Sequence, residues 1–203
     1  SLGGPGFTPG SQTAYDQVRA AGVIIVAAAG NDGVSEMNYP AAFAGVIAVG
    51  AVDINKALAP YSNFGSWVSV VAPGGNTGQD VNGDGKPDGV LSTATSDGSG
   101  ALVNGYAVWQ GTSMATPHVA GVATLMKAVA PSLTPQRFAE LLVSGALTDD
   151  LGATGKDDQF GYGLINARKA VTAVSGGSGG SSKVIDPSLL SFGVNVGILT
   201  VVP

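Results

Sequence analysis

The apolar positions of this chain fall into two kinds of run. Val23-Ile24-Ile25-Val26-Ala27-Ala28-Ala29 is continuously apolar, with its β-branched residues at the start. That pattern predicts a central parallel strand covered on both faces. Residues 46–52 and 67–72 repeat it, and residues 90–93 make a shorter strand. In the second kind, Val119, Ala120, Val122, Ala123, Leu125, Met126, Val129 and Ala130 leave almost no polar face, which predicts a helix buried on most sides. Pro117 suits only a first turn, so this helix is expected to start near Ser113. Residues 11–21 read as an amphipathic helix, with Ser11 as N-cap and Gly22 as the stop. Thr134-Pro135 opens another, to about Gly145, and a last helix runs to about Val174. Residues 95–109 read as a hairpin with Asp97-Gly98 near its tip. Strands alternating with helices predict an α/β architecture, with ligands at the carboxyl ends of the strands.

Composition narrows this picture. Of 203 residues 44% are hydrophobic and 11% charged, enough apolar material for one domain of ordinary size plus an appendage. The 32 glycines predict tight turns and close backbone packing. A net charge of −5 argues against nucleic acid or an anionic membrane as partner. The absence of cysteine excludes disulfides and thiolate sites. No apolar run reaches the ~18 residues of a membrane span, and no export signal is evident. The start at Ser1, without Met, reads as cut.

Three places carry candidate chemistry. Ser113 stands where free backbone N–H groups and the positive end of a helix dipole converge, with small neighbours in Gly111 and Ala115. A nucleophile whose product is an oxyanion would be well placed there, although an isolated serine before a helix is usually a cap. Asn31 follows the first strand in Ala28-Ala29-Gly30-Asn31-Asp32-Gly33, where by itself it reads as a turn residue. Asp80, Asn82, Asp84 and Asp88 put side-chain oxygens at positions 1, 3, 5 and 9 of a loop with Gly85 at 6. That spacing wraps a hard cation such as calcium. Leu91 replaces the closing Glu of an EF-hand, and the alternative is a plain turn cluster. Asp149, Asp150, Asp157 and Asp158 read as solvated loop acids.

The string Gly111-Thr112-Ser113-Met114-Ala115-Thr116-Pro117-His118-Val119-Ala120-Gly121 resembles the nucleophile motif of the subtilisin-like serine proteases, the subtilases. The α/β-hydrolase elbow fits less well, because Ala115 stands where that motif wants a second Gly. Phe160-Gly161-Tyr162-Gly163-Leu164-Ile165-Asn166-Ala167 is similar to the string that closes subtilase domains. The resemblance implies a three-layer fold, a mostly parallel sheet flanked by helices, with residues 1–174 as its C-terminal part. It implies Ser113 as nucleophile and Asn31 as oxyanion donor. Ser1, Leu2 and Gly3 would form an edge strand against the substrate backbone, and Ala28, Ala29 and Gly30 would also bind substrate. Asp32 and Asn38 would fall at the rim and floor of the specificity pocket. Tyr39-Pro40 matches a cis peptide of the family, and the carbonyls of Ala41, Phe43 and Val46 a weak cation site, although Ser69 replaces an Asp ligand.

The family's catalytic Asp and His lie upstream of Ser1, so the upstream half of the domain is an expected partner. His118 does not replace them. Residues five apart on a helix diverge by ~140°, and it reads as a packed helix histidine. The implied activity is a serine endopeptidase acting on protein or peptide through an acyl-enzyme, secreted, with calcium as a structural ion. The chain alone is expected to be inactive. A peptide-binding or scaffold fragment is the rival reading, but it would need neither Asn31 nor Ser113. Residues 175–183 read as a Gly/Ser linker, and residues 184–203 resemble the start of an immunoglobulin-like β-sandwich.

Overall fold

The computed structural model describes residues 1–98 and 100–175, and the backbone of residues 198 and 199. In chain order the elements are α1 (Pro9–Ala20), β1 (Ile24–Ala28), β2 (Ile47–Val52), β3 (Val70–Pro73), β4 (Val90–Ser96), β5 (Val103–Trp109) and α2 (Thr112–Val129). They continue with α3 (Pro135–Val143), β6 (Thr148–Asp149), β7 (Leu164–Ile165), α4 (Ala167–Ser175) and β8 (Ile198–Leu199).

The continuous apolar runs form the middle of a sheet ordered β6-β7-β3-β2-β1-β8. β1, β2 and β3 are parallel, with Val26 opposite Ile47 and Val49 opposite Val70. Every residue of β1 and β2 is buried, as a strand covered on both faces requires. Alternation along β1 then divides the core. Ile24 and Val26 point toward α2, α3 and α4, where Val119, Met126, Phe138, Leu142 and Ala170 pack. Ile25 and Ala27 point the other way, toward Tyr15 and Val18 of α1 and Phe43. Helices therefore lie on both faces of a mostly parallel sheet, and the three-layer α/β expectation holds. No described helix is long and apolar enough to cross a membrane.

Several boundaries differ from expectation, each for a local reason. α1 starts at Pro9 with Thr8 as its cap, because the Thr8 hydroxyl accepts the Ser11 N–H at 3.1 Å and Pro9 needs no donor partner. The third strand begins at Val70 rather than residue 67, since the Val68 N–H closes a turn onto the Gly65 carbonyl. Residues 90–93 and 95–109, expected as a strand and a separate hairpin, form one hairpin whose arms are β4 and β5, paired from Val90 opposite Trp109 to Ser96 opposite Val103. α2 begins at Thr112, which puts Pro117 one turn deeper than a first-turn proline. Ser175, expected to open the linker, belongs to α4. Residues 176–183 lie outside the described residues, as does residue 184 onward except for the backbone of β8, which runs parallel beside β1.

Candidate active site

The site grows from the end of β1 and the start of α2. Gly111 caps α2 with backbone angles φ 144° and ψ 161°, and it has no side chain to offer as a cap. Its N–H points at the Gly74 carbonyl and the Tyr61 hydroxyl, both at 3.0 Å. Thr112, fully buried, then joins the two elements. Its N–H and its hydroxyl both donate to Asn31 Oδ1, at 2.8 and 2.9 Å, while the Gly30 N–H donates to the Thr112 hydroxyl at 3.2 Å.

With Asn31 Oδ1 doubly engaged, the amide nitrogen is the end left facing outward. A Cβ on Gly111 would lie 3.6 Å from Asn31 Nδ2 and 3.6 Å from the Ser113 backbone nitrogen. Asn31 Nδ2 and the Ser113 N–H are thus two donors bordering the same space beside Gly111, with Asn31 Oδ1, also 3.6 Å from it, engaged by Thr112. Such donors stabilise charge developing on an oxygen placed between them. Ser113 is half-buried and lines a cleft of about 370 Å³ with Leu91, Trp109, Met114 and Pro117.

Pro117 has a consequence here that the sequence did not predict. It lacks the N–H that would bond the Ser113 carbonyl in a regular helix. The Ser1 hydroxyl donates to that carbonyl instead, at 2.9 Å. Ser1 is therefore tied to the backbone of Ser113, and its side chain does not face the cleft as a free donor. His118 is also corrected: it is exposed rather than packed, and Nδ1 lies 2.9 Å from the Met114 carbonyl. Among the described residues no hydrogen bond joins it to Ser113.

Segments expected to flank a substrate come together in part. The edge strand at Ser1, Leu2 and Gly3 is not regular; a single antiparallel bridge joins Gly4 to Tyr39, with both bonds at 2.9 Å. Asn38 lies between the two backbone segments, since a Cβ on either Gly3 or Gly30 would come within 2.6 Å of Asn38 Nδ2. That nitrogen donates to the Ala29 carbonyl at 3.2 Å. Ala28 and Ala29 are buried, and Asp32 is exposed. The Tyr39-Pro40 peptide is cis, as expected.

Asn63 was not legible as a site residue. Buried, it accepts the Asp32 and Val34 N–H groups at 2.9 and 3.3 Å and donates to the Ala29 carbonyl at 3.1 Å. It shapes the loop that carries Asn31, yet in sequence it is only a polar residue between strands.

The expected cation loop turns its oxygens inward. Asp80 Oδ1 and Asn82 Oδ1 both accept the Asp84 N–H, at 3.1 and 2.9 Å, and Asp80 Oδ2 accepts the Gly85 N–H at 2.9 Å. Asp88 Oδ2 reaches the Val81 N–H at 2.5 Å. Oxygens of Asp80, Asn82 and Asp88 are thus engaged by amides of their own loop. Among the described residues no group of three or more His, Cys, Asp or Glu side chains is arranged to hold a metal. The carbonyl loop at 41–46 fits a cation poorly. The Phe43 carbonyl accepts the Val46 N–H, the Ser69 hydroxyl accepts the Ala48 N–H, and the Arg19 guanidinium lies against Gly45.

Ser113 at a helix start, with Asn31 beside it just past the carboxyl end of a parallel strand, places the candidate site of this α/β domain where such sheets bind ligands. The sequence profile of the Subtilase family matches residues 1–163. Over 170 residues the chain is 38% identical to alkaline elastase YaB of a Bacillus species, covering 84% of this chain and 38% of that protein. It is 36% identical to subtilisin BL of Lederbergia lenta, covering 84% of this chain and 54% of that one. A solved structure of a protease from Pseudoalteromonas arctica superposes with a TM-score of 0.73 at 40% identity, over 86% of this chain and 50% of that chain. The chain belongs to the subtilase family. It spans about 38–54% of the length of these two curated relatives.

Proposed function

We propose that this chain carries the nucleophile and the oxyanion hole of a serine endopeptidase. Ser113 Oγ attacks the scissile carbonyl, and the new C–O bond pushes the carbonyl electrons onto oxygen. Asn31 Nδ2 and the Ser113 N–H hold that oxyanion. Collapse of the tetrahedral intermediate expels the amine, which takes a proton, and water then hydrolyses the acyl-enzyme to return Ser113. The observation that carries the reading is that those two donors border the same space beside Gly111. A binding module would need neither donor.

A base must take the Ser113 proton, and His118 is turned to the Met114 carbonyl. The His and Asp of the reaction are assigned to the upstream half of the domain, which makes that half the principal partner. Its docking would cover the exposed hairpin side chains Leu91, Tyr106 and Trp109, close to Ser113. Protein or peptide substrate would run between Ser1, Leu2 and Gly3 on one side and Ala28, Ala29 and Gly30 on the other, with Asp32 and Asn38 reading the side chain before the scissile bond. Calcium on Asp80, Asn82, Asp84 and Asp88 would stiffen the loop before β4. The relatives' names, alkaline elastase and subtilisin among them, support a protease, and secretion fits that role.

The test uses the protein with both halves of the domain present. Ser113→Ala should abolish peptide turnover and leave peptide binding largely intact. Asn31→Ala should lower kcat by about 10²–10³-fold with little change in KM, the size known for such a donor in a subtilisin. Turnover retained in the Ser113 variant would overturn the mechanism.

A further inference from the structure

We propose that Tyr61 is a positioning residue for the nucleophile, its phenol fixing the Gly111 peptide from which α2 and the oxyanion site begin. Tyr61 comes from the segment between β2 and β3, and its ring packs against the core shared by the sheet and α2. The hydroxyl donates to the Gly75 carbonyl at 2.7 Å and accepts the Gly111 N–H at 3.0 Å. It therefore links the bend after β3 to the residue that precedes Thr112 and Ser113. The surroundings leave that bend little freedom. A Cβ on Gly74 would lie 2.5 Å from Ala51 Cβ, 2.8 Å from the Gly111 carbonyl and 2.9 Å from the Tyr61 oxygen.

Gly111 holds no side chain and sits at a positive φ, so nothing of its own sets its orientation. Two acceptors on its N–H, Gly74 O and Tyr61 Oη, do so. That orientation leaves open the space between Asn31 Nδ2 and the Ser113 nitrogen. Among the described residues no hydrogen bond joins Tyr61 to Asn31 or Ser113, and it acts through Gly111. Burial pushes its pKa up to about 12, so the phenol keeps the proton it gives to Gly75 through the alkaline range. This role rests on the peptidase reading above.

The test is Tyr61→Phe in the protein with both halves of the domain, which keeps the ring and deletes one oxygen. The loss of a hydrogen-bond partner should lower kcat about five- to tenfold, with KM within about twofold. Fluorophosphonate labelling of Ser113 should slow by the same factor, and exchange of the Gly111 amide hydrogen should quicken. Unchanged kcat and labelling beside an active wild type would overturn this inference alone. So would a kcat loss that merely follows a fall in the folded fraction. A wild type without Ser113-dependent turnover would overturn the peptidase reading, and this inference with it.

Discussion

Single residues decide how this site is held. Pro117 removes a helical donor, and the carbonyl it orphans belongs to Ser113, so the Ser1 hydroxyl closes a gap that proline created. Thr112 matters more. A buried hydroxyl that both donates to Asn31 and accepts from Gly30 fixes which end of the Asn31 carboxamide faces outward. Thr112→Val preserves shape and deletes both bonds, leaving buried polar groups without one partner. The expected outcome is a kcat about tenfold lower, with Thr112→Ser close to wild type. In an Asn31→Ala background the Val substitution should cost little more, because its effect passes through Asn31. Full additivity in that double-mutant cycle would separate the two residues.

Among elements, the strands were the most legible and the hairpin the least. β1 and β2 are continuous apolar runs, and a run covered on both faces has few alternatives. β4 and β5 are mostly exposed, with polar and apolar residues mixed, so sequence alone divided one hairpin in two. The loop before β4 belongs to this scale as well. Its spacing of acids was readable, and the folded loop gathers those oxygens on its own amides. If calcium binds only the native loop, millimolar calcium should raise the melting temperature by mass action. Asp84→Ala should remove most of that gain. A melt indifferent to both calcium and chelator would reduce the loop to a turn.

At the scale of the whole molecule, the proposed reading gives the chain a nucleophile without a base. On and beside the hairpin, Leu91 is 65% exposed, Leu102 80% and Tyr106 76%, and Leu91 also lines the Ser113 cleft. Exposed apolar surface of this kind is characteristic of an interface. We expect the isolated 203-residue chain to resist fluorophosphonate labelling at Ser113. Labelling should appear once an upstream subtilase half is supplied by fusion or in trans, and intrinsic fluorescence from Trp109 should shift as the hairpin is covered. Rapid labelling of the chain by itself would require another base and would reopen the role of His118.

What the sequence determined alone was whatever depends on local pattern. Apolar runs specified β1 and β2, because burial on both faces tolerates no polar interruption. By contrast α2, expected to be buried on most sides, keeps an exposed face at Pro117, His118, Gly121, Thr124, Leu125 and Ala128. The Thr134-Pro135 pair specified the start of α3, because a hydroxyl cap and a fixed φ act within one turn. The string around Ser113 that carries the family resemblance was readable because its residues are contiguous. The fold decided what depends on distant residues meeting. Asn31 and Thr112 are 81 positions apart, and Ser1 and Ser113 are 112 apart. No local period encodes such pairs. Asn63 and Tyr61 stayed silent for the same reason: a polar side chain acquires its role from the backbone groups brought to it, and only the packed sheet and α2 bring them.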